Sequence, residues 1–177
     1  MIRKWIYLLA LLALPSCLLW SQSSIDHSAQ LSSSLSWSGA DVHLAYGLQK
    51  GPHQLYAGPR LLLSNSHLPL KGPWGGALGY RIRLLQSRRL LSTASVEYKF
   101  ILSEPYDPLQ LGGDFLNSIH EWHLSYGLWY RLNDHWQLGS TIGTGFYLER
   151  LTDLQEQRKQ GFSGYSGQLG FLVRYVF

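Results

Sequence analysis

Apolar side chains alternate with small or polar ones along almost the whole chain from about residue 30 onward. In the segment 119–132, for example, Trp122 and Leu124 fall on one face while His123 and Ser125 fall on the other. A period of two is typical of β-strands whose two faces meet different surroundings. No helical period competes with it, so we expect an all-β protein.

The alternation occurs in eight segments. They are 30–37, 41–49, 54–64, 74–85, 90–103, 119–132, 136–150 and 165–177. Bacterial single-chain membrane barrels have an even number of strands, and eight is their minimum. Only 15% of the residues are charged, where a soluble domain has about 25%. The sequence therefore predicts an eight-stranded antiparallel up-and-down transmembrane β-barrel.

The connections between these segments fall into two classes. Those at 50–53, 86–89 and 133–134 are short, whereas those at 65–73, 104–118 and 151–164 are long. The first connection, at 38–40, is short although it lies on the side of the long ones. Outer-membrane barrels have short periplasmic turns and long external loops, which gives the predicted orientation.

Aromatic residues lie near both ends of the apolar face, and two such girdles are typical of a barrel that crosses a membrane. The predicted outer girdle contains Trp37, Trp74, Phe100, Trp122, Phe146 and Tyr165. The predicted inner girdle contains Tyr46, Tyr130, Trp136, Tyr175 and Phe177.

A soluble secreted barrel of the lipocalin type is the alternative architecture. Its apolar face would point inward around a ligand, and its second face would be wetted and rich in Lys, Glu and Thr. Here the second face is largely Gly, Ser and Gln with a few charges, which favours a crowded interior. The membrane barrel is therefore the preferred prediction.

The first 21 residues have the features of a secretory signal peptide, with Arg3 and Lys4 before a short apolar run. That run is too short to cross a bilayer as a helix. Residues 14–17 also resemble a lipobox, which would make an acylated Cys17 the new N-terminus. The predicted barrel domain is 22–177. Without the signal, 13 basic and 11 acidic residues remain, which gives no basis for binding nucleic acid.

The segmentation, the signal and the alternating C-terminal ending resemble the small outer-membrane β-barrel proteins, the family of OmpX and of the OmpA membrane domain. The resemblance implies an integral location in the outer membrane of a Gram-negative bacterium. It also implies recognition of Val173, Tyr175 and Phe177 by the outer-membrane assembly machinery. The family includes adhesins, lipid-modifying enzymes and structural proteins, so the resemblance selects no activity.

The inner face carries charged residues that we expect to pair, because a buried charge is costly unless it has a partner. The predicted lumen network contains Arg60, Arg81, Arg83, Glu97, Lys99, Glu121, Arg131, Glu149 and Arg174, with Asp41, His43 and His123 nearby. Side chains just fill a barrel of this size, so a conducting pore and small-ligand transport are not favoured. His43, His123 and Glu121 lack zinc-site spacing, and we predict no metal or cofactor.

One motif suggests an enzyme. His123-Leu124-Ser125 resembles the His-x-Ser pair of the outer-membrane lipid A deacylases, which implies a base beside a nucleophile, with Glu121 or Glu149 as the orienting carboxylate. In the deacylases this motif continues with Asn and lies close to the C-terminus. Here Tyr126 follows, and the motif lies further from the C-terminus. Moreover, the alternation places His123 and Ser125 inside, away from lipid. We keep the hydrolase as an alternative hypothesis.

The predicted loop 104–118 combines acidic groups with apolar ones, notably Tyr106 and Phe115. Apolar groups on an external loop indicate contact with another envelope protein or with lipopolysaccharide. A loop folded over the barrel mouth is the alternative. The leading hypothesis is a non-enzymatic barrel with a plugged lumen, structural or accessory to an envelope complex, acting through its loops.

Overall fold

Eight antiparallel strands form a closed barrel in the computed structural model, which describes residues 25–64, 70–105, 115–153 and 159–177. The strands are β1 Asp26–Ser36, β2 Gly39–Lys50, β3 His53–Ser64, β4 Leu70–Gln86, β5 Leu90–Pro105, β6 Phe115–Arg131, β7 Trp136–Asp153 and β8 Lys159–Val176. Each strand pairs with the next along the chain, and β1 pairs with β8 to close the barrel. The predicted eight-stranded up-and-down barrel is confirmed. No helix in the described part of the chain is long and apolar enough to cross a membrane.

The strands next to the long connections run further than the sequence predicted. Residues 70–73, 104–105, 115–118, 151–153 and 159–164 belong to strands, so the predicted loops 65–73, 104–118 and 151–164 are too long. At this end pairing continues after the side-chain alternation fades, because the ladder is made by backbone groups. Asn117, for instance, pairs with Leu151, and Leu151 with Gln160.

The predicted contact residue Phe115 is therefore the first residue of β6 and not part of a loop. Tyr106, the other predicted contact residue, lies outside the described residues. The same is true of the predicted signal 1–21 and of Cys17.

The two ends of the barrel differ. One end, here called the loop end, carries the β1–β2 turn at residues 37–38 and the ends of the strands that flank 65–69, 106–114 and 154–158. The other, the turn end, carries the connections 51–52, 87–89 and 132–135 together with Asp26 and Phe177. Gly51 has a φ of 57°, a left-handed conformation that glycine adopts without strain.

The barrel wall is higher on one side at the loop end. Pairing between β1 and β8 stops at Leu35 and Leu169, whereas β7 and β8 remain paired as far as Thr152 and Lys159. The β1–β2 hairpin is therefore lower than its neighbour β8. Trp37, at the tip of this hairpin, stacks on the buried Tyr147 of β7, with the ring centroids 4.7 Å apart. The stack joins the hairpin to the higher wall.

Polarity is inverted relative to a soluble protein. Five outward-facing apolar residues in the middle of the barrel, Leu31, Leu44, Leu124, Ile142 and Phe171, are 52–64% exposed. The inward-facing Asp41, Arg60, Lys99 and Glu121 are at most 2% exposed. An apolar outer band around a polar interior is the arrangement of transmembrane barrels.

Candidate functional site: the barrel interior

Side chains fill the described interior in four layers, named here from the loop end downward. The apolar cap consists of Leu62, Ile101 and Ile119. The charged layer consists of Asp41, Arg60, Glu97, Lys99 and Glu121. The aromatic layer consists of Tyr56, Leu91, Trp129 and Leu172, with Arg81 between the two rings. The arginine layer, at the turn end, consists of Arg83, Arg131 and Arg174.

Arg60 lies at the centre of the charged layer. Its Nη2 donates to Asp41 Oδ2 at 2.6 Å and to Glu121 Oε2 at 3.0 Å, and it also lies 2.9 Å from Ser38 Oγ. Asp41 is on β2, Arg60 on β3 and Glu121 on β6, so the contact with Glu121 spans the lumen. A guanidinium that bridges two carboxylates compensates much of the cost of burying all three charges.

Lys99 extends this layer toward the middle of the barrel. Its Nζ lies 3.8 Å from Asp41 Oδ2 and 3.4 Å from Glu97 Oε2, and it donates to Ser34 Oγ at 2.8 Å. Glu97 also accepts hydrogen bonds from the Tyr56 hydroxyl at 3.3 Å and from Gln168 Nε2 at 3.2 Å. Together with Ser34 and Gln168, the layer thus joins side chains of six strands by hydrogen bonds to charged groups.

The aromatic layer lies below the charges. The guanidinium carbon of Arg81 lies 4.7 Å from the centre of the Tyr56 ring and 4.5 Å from that of Trp129, so both rings stabilise its charge. Its Nη1 donates to Gln30 Oε1 and to Gln54 Oε1, both at 3.0 Å.

Glycines on neighbouring strands make room for the two large rings. A Cβ atom on Gly79 would lie 2.1 Å from Cζ of Tyr56, and one on Gly139 would lie 2.7 Å from the Trp129 ring. A residue larger than glycine at position 79 or 139 would therefore overlap the ring that lies beside it. The interior glycines are therefore part of how this lumen is filled.

The residues of the predicted lumen network lie in separate groups. Arg60, Glu97, Lys99 and Glu121 come together in the charged layer, and Asp41 joins them. The other predicted members form no ion pair with that layer in the described part of the chain. Arg81 lies in the aromatic layer, Arg83, Arg131 and Arg174 lie at the turn end, and Glu149 accepts a hydrogen bond from Asn117 Nδ2 at the loop end.

A small cavity lies between these side chains. The cavity bordered by Ser34, Tyr56, Glu97, Lys99 and Ser125 has a volume of about 20 Å³. That is room for about one water molecule. Among the described residues, no three His, Cys, Asp or Glu side chains lie close enough together to hold a metal ion.

His123 does not contact Ser125. Its Nε2 lies 3.0 Å from Ser166 Oγ, and Ser166 in turn lies 3.5 Å from Glu121 Oε1. The Ser125 hydroxyl and the Nδ1 of His123 have no hydrogen-bond partner among the described residues. On one strand, residues i and i+2 are roughly 7 Å apart, so they share a face without reaching each other.

This geometry lacks the order of a hydrolase triad. In a triad the carboxylate orients the imidazole through Nδ1, whereas here Glu121 contacts the serine and is held by Arg60. Ser125, His123 and Ser166 are each at most 6% exposed, so a lipid substrate has no access to them in this structure. The arrangement supports a packing role for His123.

A ladder of rings lies on the outer face near the loop end. Tyr98, Trp122, Phe146 and Tyr165 occupy consecutive register positions on β5 to β8. The rings of Trp122 and Phe146 stack with centroids 4.8 Å apart. Of the predicted outer girdle, Trp122, Phe146 and Tyr165 belong to this ladder. Trp74 on β4 and Phe100 on β5 also face outward, and Trp37 stacks on Tyr147.

The predicted inner girdle lies at the turn end, where tyrosine hydroxyls meet polar side chains. Arg89 Nη1 donates to the Tyr130 hydroxyl at 3.2 Å, and the His135 ring stacks on Tyr175. Trp136 packs edge-on against Tyr175, and so does Phe177. Rings with one apolar and one wetted side are typical of the membrane–water interface.

Sequence reasoning missed three histidines that cap outward-facing tyrosines. Nδ1 of His27 contacts the Tyr46 hydroxyl, and His53 and His120 contact those of Tyr80 and Tyr98 at 2.5 and 2.7 Å. Each pair joins adjacent strands, so no local motif marks it. The signal in the sequence is that all three histidines stand at alternating positions whose side chains point to the apolar face.

No protein-family model matches this chain, and no curated protein matches its sequence. Among solved structures, a major outer membrane protein from Thermus thermophilus is similar over 88% of this chain and 100% of that chain, with 14% identity and a TM-score of 0.46. Neisserial surface protein A is similar over 86% of this chain and 96% of that chain, with 10% identity and a TM-score of 0.47. The KdgM porin is similar over 85% of this chain and 99% of that chain, with 8% identity and a TM-score of 0.32. At these identities the similarity concerns the fold alone.

Proposed function

We propose that the mature chain is a non-enzymatic integral protein of the bacterial outer membrane, a structural or accessory subunit of an envelope complex that acts through its external loops. The observation that carries this proposal is the inverted polarity of the barrel combined with its filled interior. An apolar outer band requires lipid or a protein cover, and a filled lumen leaves the loop end as the surface open to partners.

The spacing of the aromatic residues supports a membrane location. Trp122 and Tyr130, at the two ends of the apolar band on β6, are eight residues apart. At about 3.3 Å per residue and a tilt of roughly 40°, this corresponds to an apolar height of roughly 20 Å. That is close to the height of about 25 Å found in outer-membrane barrels.

The layers of the interior support a barrel that does not conduct ions. An ion crossing the lumen would have to displace the apolar cap, the Arg60 ion pairs and the Arg81 sandwich in succession. Two cavities in the described interior, both lined by charged side chains, have volumes of about 20 and 10 Å³. We therefore propose a plugged lumen whose charges hold the walls together.

Lipopolysaccharide is the lipid partner that we propose at the loop end. The exposed Arg150 lies on the outer face of β7, beyond the Trp122–Phe146 stack, and within electrostatic range of His120. Stacked rings below a cation suit an acyl chain below an anionic headgroup. The segment 104–118, with Tyr106 and Phe115, is the proposed contact for another envelope protein.

The first test uses the full chain expressed in a Gram-negative host. Gel electrophoresis of the outer-membrane fraction with and without boiling is expected to show a heat-modifiable band, and the purified protein in planar bilayers is expected to show no channel steps. A soluble periplasmic protein would contradict the membrane location. Regular conductance steps would contradict the plugged lumen.

A loop variant separates the barrel from its partner contact. Replacing residues 106–114 by a short Gly-Ser linker is expected to leave the heat-modifiable band unchanged, because β5 ends before this segment and β6 begins after it. Cross-linking in whole cells is expected to lose any adduct formed by the unaltered chain. An adduct that persists in the variant would exclude this segment as the contact.

A further inference from the structure

The arginine layer and the neighbouring Arg81 carry buried positive charge without an ion-paired carboxylate in the described part of the chain. Arg174 and Arg81 are each 3% exposed, and Arg83 is half-buried beside them. The interior carboxylates Asp41, Glu97 and Glu121 form their ion pairs with Arg60 and Lys99 instead. Among the described residues, no carboxylate forms an ion pair with Arg81, Arg83 or Arg174.

These guanidinium groups are close enough to repel one another. Arg174 interacts unfavourably with both Arg81 and Arg83, and Arg83 does so with Arg131. Asp26, exposed at the start of β1, offsets part of this repulsion. Like charges with reduced access to water are costly unless an opposite charge lies between them.

Hydrogen-bond donors remain unused at the same place. Arg174 Nη2 donates to Gln49 Oε1 at 2.5 Å, but neither its Nε nor the Nε of Arg81 has a hydrogen-bond partner among the described residues. Thr93 Oγ1 accepts a hydrogen bond from Trp129 Nε1 at 3.2 Å, which leaves the hydroxyl hydrogen of Thr93 free to donate elsewhere.

The same side chains surround a small cavity. Its volume is about 10 Å³, and it is bordered by Gln49, Pro52, Gln54, Arg81, Arg83, Leu91, Thr93 and Arg174. It lies at the turn end, where Pro52 belongs to the β2–β3 turn. A space of this size takes about one water-sized particle, which excludes a tetrahedral oxyanion with its five heavy atoms.

From these observations we infer that the turn end of the lumen is a binding site for a single monatomic anion, with chloride as its physiological ligand. The anion enters from the side of the short turns and lies between the guanidinium groups of Arg174, Arg81 and Arg83, with the Thr93 hydroxyl as a neutral donor. A water molecule would satisfy the hydrogen bonds but would leave the repulsion between the arginines unchanged. Chloride accepts the free hydrogen bonds and also offsets the repulsion between the arginines.

The test measures unfolding of the full-chain barrel in detergent micelles at constant ionic strength, with chloride, bromide, sulfate or gluconate as the anion. A ligand that binds only the folded state raises the folding equilibrium constant about 100-fold when present at 100 times its dissociation constant. We expect chloride and bromide to raise the unfolding midpoint progressively with concentration, and sulfate and gluconate not to do so. Equal midpoints in all four salts, or equal effects of sulfate and chloride, would overturn the inference.

Two further observations make the assignment specific. Arg174→Met is expected to abolish the dependence on halide, whereas Arg88→Met, in the exposed β4–β5 turn, is expected to retain it. Because the first variant removes a buried group and need not fold, crystals of the unaltered protein soaked in bromide provide the second observation. An anomalous peak beside Arg174 is expected, and density for water alone would overturn the proposal.

Discussion

The Arg60 guanidinium and the Asp41 carboxylate form an ion pair at 2.6 Å, with both side chains at most 1% exposed. Because Glu121 contacts the same Nη2, removing Arg60 leaves two buried carboxylates without their main cation. Breaking a buried ion pair from one side costs about 3–5 kcal/mol.

We therefore expect Arg60→Gln to lower the free energy of unfolding by about that amount, about 3–5 kcal/mol. Urea unfolding of the barrel refolded into lipid vesicles measures the change. The matched control is Arg88→Gln, at an exposed turn position, which should change stability by less than about 0.5 kcal/mol. Equal stabilities of the two variants would show that the charged layer contributes nothing.

Gly79 and Tyr56 test the filling of the lumen. A valine at position 79 would place its Cβ 2.1 Å from the Tyr56 ring, so Gly79→Val should displace the ring from Arg81 and destabilise the barrel by about 1–3 kcal/mol. Gly167→Val is the control, because a Cβ there meets nothing within 4 Å. The unfolding midpoints of both variants give the comparison, and a loose lumen would make them alike.

Ser166 and Ser125 separate a packing role from a catalytic one. Ser166→Ala removes the hydrogen-bond partner of His123 Nε2 and should cost about 1 kcal/mol. Ser125→Ala removes a hydroxyl that has no described partner and should leave stability nearly unchanged.

Neither substitution is expected to alter the acylation of lipid A, measured by mass spectrometry of cells that express each variant. If the unaltered chain removes acyl chains and Ser125→Ala does not, the alternative hydrolase hypothesis is right and the non-enzymatic proposal is wrong.

Ile142 and Leu132 test whether the outer face meets lipid. Ile142 lies in the middle of the apolar band and is 64% exposed, whereas Leu132 is 54% exposed at the turn end. An arginine on the lipid face costs about 2–4 kcal/mol at the bilayer midplane and about 0–1 kcal/mol near the interface. Ile142→Arg should therefore destabilise the barrel in vesicles far more than Leu132→Arg. In a soluble barrel, both exposed substitutions would be tolerated equally.

The eight strands and the direction of their faces follow from the sequence alone. A strand turns alternate residues to opposite sides, so the run from Trp122 to Tyr130 already indicates which side chains meet lipid and which meet the lumen. The same pattern could not place the strand ends at the loop end, since pairing there depends on backbone partners. Ser118 and Ser163 place polar side chains at outward positions and so interrupt the alternation, yet both belong to paired strands.

Which interior residues meet was decided by the tertiary structure. Arg60 and Glu121 are 61 positions apart and lie on strands that are not neighbours, so their contact depends on the closure and stagger of the barrel. For the same reason His123 on β6 contacts Ser166 on β8, on the far side of β7, instead of Ser125 on its own strand. The alternation of the sequence determined the inside and the outside, while the register between strands determined the charged layer, the Arg81 sandwich and the unpaired arginines at the turn end.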